Sequence, residues 1–350
     1  MASSSLLLQS PLSTSPATTI AISQKAPSFL VSQSQWSLPW PLSLLANNES
    51  QEKWASYENL FLACIQTGDL PSTSRCLEAL TARFGESNER VLVLTGMCKE
   101  AYAQTDEELK GVLAWYDELL KEDAGIFGIS KRRVALLRSM GKMQEAVNGL
   151  VALLDTTPND PEAWAELADL YLTLGLYEQT IYCLEEVLLV MPNAWNMHAK
   201  LGEVVFISAG AVAGGDLLKA LSESMRRFCR SVELCDDYLR GYYGLKLVSM
   251  ASMMQVRFES DTTQTTARLI EAIPNANNQK PQKASSEAGA GDQAPPTLES
   301  VKKLNEIATS KLGEIVRRSS SGEKGWDGYK QAELIAAREL LDRDTQKIER

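Results

Sequence analysis

Histidine is almost missing from this 350-residue chain: His198 stands alone. Catalysis or metal binding that depends on several imidazoles is thereby excluded. No G-x-x-x-x-G-K-[ST], no G-x-G-x-x-G after a strand, no G-x-S-x-G and no H-E-x-x-H occurs, so phosphate loops, dinucleotide folds, serine hydrolases and zinc peptidases have no footing. None of the six cysteines forms a C-x-x-C pair; scattered among apolar neighbours, they read as reduced, packed thiols of a reducing compartment. Residues 1–48 lack any acidic residue and hold one basic one, Lys25. Without arginine and without a long apolar run, this Ser/Thr/Pro-rich stretch reads as a low-complexity leader with a short helix near Thr18–Ser34, rather than a transit or signal peptide. No segment supplies the roughly 20 apolar residues a bilayer span needs. The charge-free stretch from Ala26 to Asn48 is interrupted by Pro27, Pro39 and Pro41, and Val204–Gly215 is too short.

The chain does have acidity, and it is localised. The net charge is −10, from 35 basic and 45 acidic residues. Residues 49–274 carry 33 acidic and 21 basic residues, a balance of −12, whereas 275–298 is neutral and 299–350 has 11 basic against 10 acidic. An acidic block is a poor partner for nucleic acid.

From Trp54 to about residue 256 apolar residues recur at helical spacing in paired segments of about 34 residues. The clearest unit runs from Pro161 to Pro192. Trp164, Leu167, Ala168 and Tyr171 share one face of a first helix, Gly175 makes the turn, and Tyr177, Ile181, Leu184 and Leu188 mark the second. This is the tetratricopeptide (TPR) pattern, in which a small residue such as Ala168 lets the two helices approach. Stepping back 34 residues carries Pro192 to Pro158, Gly175 to Gly141 and Leu184 to Leu150. A non-repetitive bundle would not return the same residue types at that interval.

Weaker units begin at Trp54 and near Gly96, and a degenerate one follows Pro192 with an insertion around Gly210–Gly215. The expected fold is therefore all-α, a TPR-type α-solenoid of about five helix pairs with C-terminal capping helices. Its expected divisions are a leader at 1–48, a solenoid at 49–256, a flexible linker at 257–297 and capping amphipathic helices at 298–350.

Paired acids at Glu185–Glu186 and Asp236–Asp237 read as solvated helix faces rather than acid–base pairs. Lys131–Arg132–Arg133 reads likewise, and Trp54 and Trp164 as core. No catalytic, cofactor or metal residues are expected, and His198 reads as a packing residue. A TPR array grips extended or helical peptides on the surface lined by its first helices. Counted from the core positions, that lining comprises Asn59, Leu62, Lys131, Arg138, Asp169, Leu172, Glu203 and Phe206. A co-chaperone clamp for an acidic chaperone tail is the alternative, and it is incomplete. Asn59 fits, but Ala55 stands where lysine is wanted and the next unit offers only Lys99.

Beyond the repeat consensus, several blocks resemble subunit 2 of the endoplasmic reticulum (ER) membrane protein complex, its fungal members in particular. They are R-F-G-E-S-N-E-R-V (83–91) with L-T-G-M (94–97), Y-D-E-L-L-K-E-D (116–123), K-R-R-V-A-L-L-R-S-M-G-K (131–142), E-A-W-A-E-L-A-D-L-Y (162–171) and Y-C-L-E-E-V-L-L-V-M-P-N (182–193). R-F-G and K-R-R-V-A-L-L-R are not repeat requirements. The resemblance covers roughly residues 50–256. It implies a non-catalytic scaffold on the cytoplasmic face of the ER membrane, peripheral and held there through partners. Its groove would receive cytosolic segments of the membrane-embedded subunits of a complex that inserts transmembrane helices.

Overall fold

A left-handed residue breaks a helix sharply, and three glycines do this between paired helices: Gly68, Gly141 and Gly175 have φ of 77°, 76° and 75°. In the computed structural model, which describes residues 6–12, 14–34, 50–210, 215–271, 296–326 and 328–348, the secondary structure between such turns is all helical. The chain separates into two units, Met1–Pro158 and Asn159–Arg350.

The first unit contains α1 (Pro16–Ser23), α2 (Ala26–Ser34), α3 (Gln51–Thr67), α4 (Leu70–Phe84), α5 (Glu89–Tyr102), α6 (Asp106–Glu122), α7 (Phe127–Ser139) and α8 (Met143–Thr156). Caps written in the sequence start several of them. Ser50 Oγ accepts from Lys53 N at 3.2 Å, Asp69 Oδ1 from Ser72 N at 3.2 Å, and Thr105 Oγ1 from Glu108 N at 3.3 Å. Three acids, Asp106, Glu107 and Glu108, sit in the first turn of α6, where the helix dipole favours them. Helices α3 and α4, α5 and α6, and α7 and α8 form successive TPR-type pairs.

The described part of the leader is built into this unit. Helix α1 packs on α3 and α2 on α4. Ile22 and Ala26 are fully buried with Leu60, Phe61 and Cys64, Ser23 and Thr67 share a 2.7 Å hydrogen bond, and Phe29 meets Tyr57 edge-on at 5.2 Å. Burying an isoleucine of this kind contributes about 1.5–3 kcal/mol.

The second unit contains α9 (Pro161–Thr173), α10 (Tyr177–Val190), α11 (Trp195–Ala209), α12 (Gly215–Leu234), α13 (Leu239–Glu271), α14 (Leu298–Ser320) and α15 (Gln331–Ile348). Here α9 pairs with α10 and α11 with α12, while α14 lies along α13, and α15 contacts both. Helix α13 continues to Glu271, past the linker boundary expected after residue 256, because neither glycine nor proline interrupts residues 257–273 before Pro274. The linker stretch 272–295, the insertion residues 211–214 and residues 35–49 lie outside the described residues.

Close approach decides the packing of both units. A Cβ at Gly96 would overlap the Tyr116 ring, and one at Gly244 would overlap the Phe228 ring; Phe228 also lies 3.1 Å from the Cβ position of Gly202. Phe228 of α12 is thus lodged between the backbones of α11 and α13. In contrast, a Cβ at Gly111 of α6 meets nothing within 4 Å. We expect Gly244→Ala to destabilise by about 1–3 kcal/mol through overpacking. Gly111→Ala should stabilise by about 0.5–1 kcal/mol through helix propensity. Urea denaturation followed by circular dichroism distinguishes the two, and equal shifts of one sign would show that packing around Phe228 is not limiting.

Candidate partner-binding groove

Ion pairs at close to the repeat spacing join α3 to α5, α5 to α7 and α9 to α11, and a longer-range pair joins α13 to α15. In the first unit Arg90 Nε of α5 donates to Glu58 of α3 at 2.8 Å, and Arg132 Nε of α7 donates to Glu100 of α5 at 2.9 Å. Glu100 also accepts from the buried Tyr116 hydroxyl at 2.5 Å. In the second unit Lys200 of α11 pairs with Asp169 of α9, and Arg240 of α13 pairs with Glu333 of α15 at 2.6 Å. Burial, followed by the bond to Glu100, pushes the Tyr116 hydroxyl upward, and Glu333 drives Arg240 further toward its charged form. The cluster Lys131–Arg132–Arg133 is consequently not the solvated face expected of it: Arg132 and Arg133 are half-buried in pairs with Glu100 and Asp117.

The eight residues expected to line one groove are not all alike. Glu203 and Phe206 of α11 do line a cavity of about 640 Å³ in the second unit. They share it with Asn196 and Lys200 of α11, Arg240, Tyr243 and Leu247 of α13, and Glu333 and Ala336 of α15. Asp169 reaches this group through Lys200, and Leu172 is half-buried on the same helix as Asp169. In the first unit the corresponding positions are covered by the chain itself. Leu62 is buried in the cluster that contains Leu7, and the Asn59 amide donates to the Leu7 carbonyl at 2.9 Å. Asn59 was the residue that fitted a carboxylate clamp, and its amide is already engaged. Lys131 and Arg138 are half-buried on α7 and each is engaged within the chain.

Sequence reasoning missed Lys200, Arg240, Tyr243 and Glu333. Lys200 follows Asp169 by 31 residues, a spacing that a search for charge pairs between repeats would find. Glu333 lies beyond the 275–297 stretch, and no pattern in the chain places it against Arg240. A second cavity, of about 510 Å³ in the first unit, is lined by Leu77, Cys98, Lys99, Tyr102 and Trp115, with the Lys99 ammonium 4.3 Å from the Trp115 ring centre. His198 is buried, with Nε2 at 3.0 Å from the Pro192 carbonyl; a carbonyl only accepts, so Nε2 carries the hydrogen. Burial raises the thiols of Cys64, Cys183 and Cys229 to about 11 and Cys76 to about 12, which makes them packing groups rather than nucleophiles.

Successive antiparallel helix pairs, joined first helix to first helix by charge and second helix to first by apolar packing, define a TPR-type repeat protein. Residues 103–213 match the EMC2 TPR-like repeat domain. It is 39% identical over 194 residues to the TPR repeat protein oca3 of Schizosaccharomyces pombe, covering 55% of this chain and 65% of that protein. It is 29% identical over 205 residues to ER membrane protein complex subunit 2-A of Xenopus laevis, covering 59% and 65%. It is 26% identical over 201 residues to ER membrane protein complex subunit 2 of Saccharomyces cerevisiae, covering 55% and 68%. The matches thus span just under two thirds of the length of the first two relatives. Among solved structures, a thermophilic TPR protein of Thermus thermophilus aligns at a TM-score of 0.37 and 15% identity, over 55% of this chain and 99% of that one.

The packing of α14 against the turn between α12 and α13 uses one exposed carboxylate. Asp236 accepts from Lys311 of α14 at 2.8 Å and from Tyr242 at 3.0 Å, and these bonds hold its carboxyl below its usual range. A depressed folded pKa contributes stability above the unfolded value of about 3.9 and loses it as pH falls through the folded value. Amide exchange in α14, compared with that of α9, should therefore accelerate as pH is lowered below about 4. The Asp236→Asn protein should show no such step; a step of equal size in that protein would assign it to other carboxylates.

Proposed function

We propose that this chain is a non-catalytic scaffold subunit of the ER membrane protein complex. It holds cytosolic segments of membrane-embedded subunits in the groove formed by α11, α13 and α15. The observation that carries the reading is the EMC2 repeat-domain match over residues 103–213, which runs through α11 up to the edge of that groove. The groove supports it chemically. Phe206, Tyr243 and Leu247 offer apolar contact, and Lys200, Glu203, Arg240 and Glu333 offer paired charges, which suits recognition of a peptide rather than a reaction. Among the described residues no helix is long and apolar enough to cross a membrane. In this reading membrane association comes through partners, at the cytoplasmic face. The helices after the linker close the end of the repeat array, as solenoid ends require.

Purification from native membranes should recover several transmembrane proteins in fixed ratio with this chain. Phe206→Ala, in the groove wall, should lower that recovery by tenfold or more, the effect of losing an aromatic anchor of about 2 kcal/mol. Recovery of the unmodified chain as a free soluble monomer, or undiminished recovery with Phe206→Ala, would each sink the part of the reading it addresses: the complex in the first case and the groove in the second.

A further inference from the structure

Helix α10 carries apolar residues that stay exposed to solvent although the repeat does not require them. Leu184, Val187 and Leu188 are buried, as the repeat requires, but Leu189 is 76% exposed and Tyr182, one face and two turns earlier, is 57% exposed. Val190 and Met191 continue the exposed surface to the end of the helix, and Trp195 is exposed at the start of α11. The repeat itself supplies the control. Thirty-four residues earlier, the positions of Tyr182, Leu189, Val190 and Met191 hold Asn148, Asp155, Thr156 and Thr157, so helix pairing does not demand apolar residues there. Exposed leucine and tyrosine at positions where the fold accepts asparagine and aspartate mark a surface kept for contact.

The surface is held in place. Tyr182 packs edge-on against Trp164 at 5.9 Å. The turn between α10 and α11 is fastened by His198 Nε2 to the Pro192 carbonyl at 3.0 Å, Ala194 N to the Met191 carbonyl at 3.1 Å, and Ser231 Oγ to the Trp195 carbonyl at 2.7 Å. Helix α10 itself bears Glu178, Glu185 and Glu186 and no lysine or arginine, and Arg227 of α12 pairs with Glu185, which leaves Glu178 and Glu186 beside the apolar strip. That argues against an anionic lipid surface and for a cationic edge on whatever binds.

We propose that the outer face of α10, with the turn that follows it, docks an amphipathic helix of a partner protein, apolar on one face and lined with lysine or arginine along its edges. This surface is separate from the α11–α13–α15 groove and does not depend on the groove's assignment. The apolar face covers Tyr182, Leu189 and Val190, and the basic edge meets Glu178 and Glu186.

The test uses the 350-residue chain and synthetic probes. A fluorescent helical peptide with leucine on one face and lysine along its edges is titrated by anisotropy, beside the same peptide with glutamate for lysine and beside anionic vesicles. We expect the lysine peptide to bind about tenfold or more tightly than the glutamate peptide. Leu189→Asp with Val190→Thr, the residues already present one repeat earlier, should abolish that preference while leaving the circular dichroism spectrum unchanged. Tyr182→Asn serves as a milder second variant should the double one fail to fold. Equal binding of the two peptides, preference for vesicles, absence of binding, or binding insensitive to the folded variant would each overturn the proposal.

Discussion

The fold depends on how near two helix backbones can come at a few positions where a side chain is almost or wholly missing. Ala168 is fully buried where α9 meets α10, Gly96 lies under the Tyr116 ring, and Gly202 and Gly244 leave room for Phe228 from opposite sides. Each absent carbon lets a large ring fill the space between helices at crystal-like density, which a methyl group would prevent. Because Phe228 touches both α11 and α13, packing within a pair and packing between pairs become one constraint. That coupling fixes the spacing of first helices and so the width of the groove they line.

Charge then acts on a frame already set by packing. The cross-repeat pairs Glu58–Arg90, Glu100–Arg132 and Asp169–Lys200 each use one residue from a first helix and one from the next. Pairs that are partly exposed contribute modestly to stability, about 0.2–1 kcal/mol where they face solvent. Their larger consequence is to specify register, since a one-turn slip would separate every partner. The acidity of the repeat block also has two distinct fates. Some of it is taken up in such pairs, whereas α10 keeps its three glutamates beside an exposed apolar strip, with Glu185 paired to Arg227 at 3.2 Å.

The repeat was legible because TPR geometry writes itself into sequence at short range. Glycines at the turns, the Trp–Leu–Ala–Tyr face of α9 and the proline stops are local requirements, and each helix obeys them before any tertiary contact forms. Of the residues counted from core positions, Glu203 and Phe206 line the cavity of the second unit. Asn59 and Leu62 are covered instead, because residues 6–34, which looked like a low-complexity leader, pack onto the first pair and take up those positions. The apolar residues they bury, Leu7, Ile22 and Ala26, are too widely spaced for a periodicity to announce them.

Composition and spacing alone determined that the chain is helical, repetitive and acidic in its centre. These follow from residue types at fixed intervals, which no packing can alter. Only the tertiary structure decided which carboxylate meets which cation across long sequence gaps, as Glu333 does Arg240, and that α14 lies along α13. It also decided that Leu189 is left in water while Leu188 beside it is buried. Those outcomes depend on how helices far apart in sequence are rotated against one another, and rotation is set by the fit of side chains in three dimensions rather than by their order along the chain.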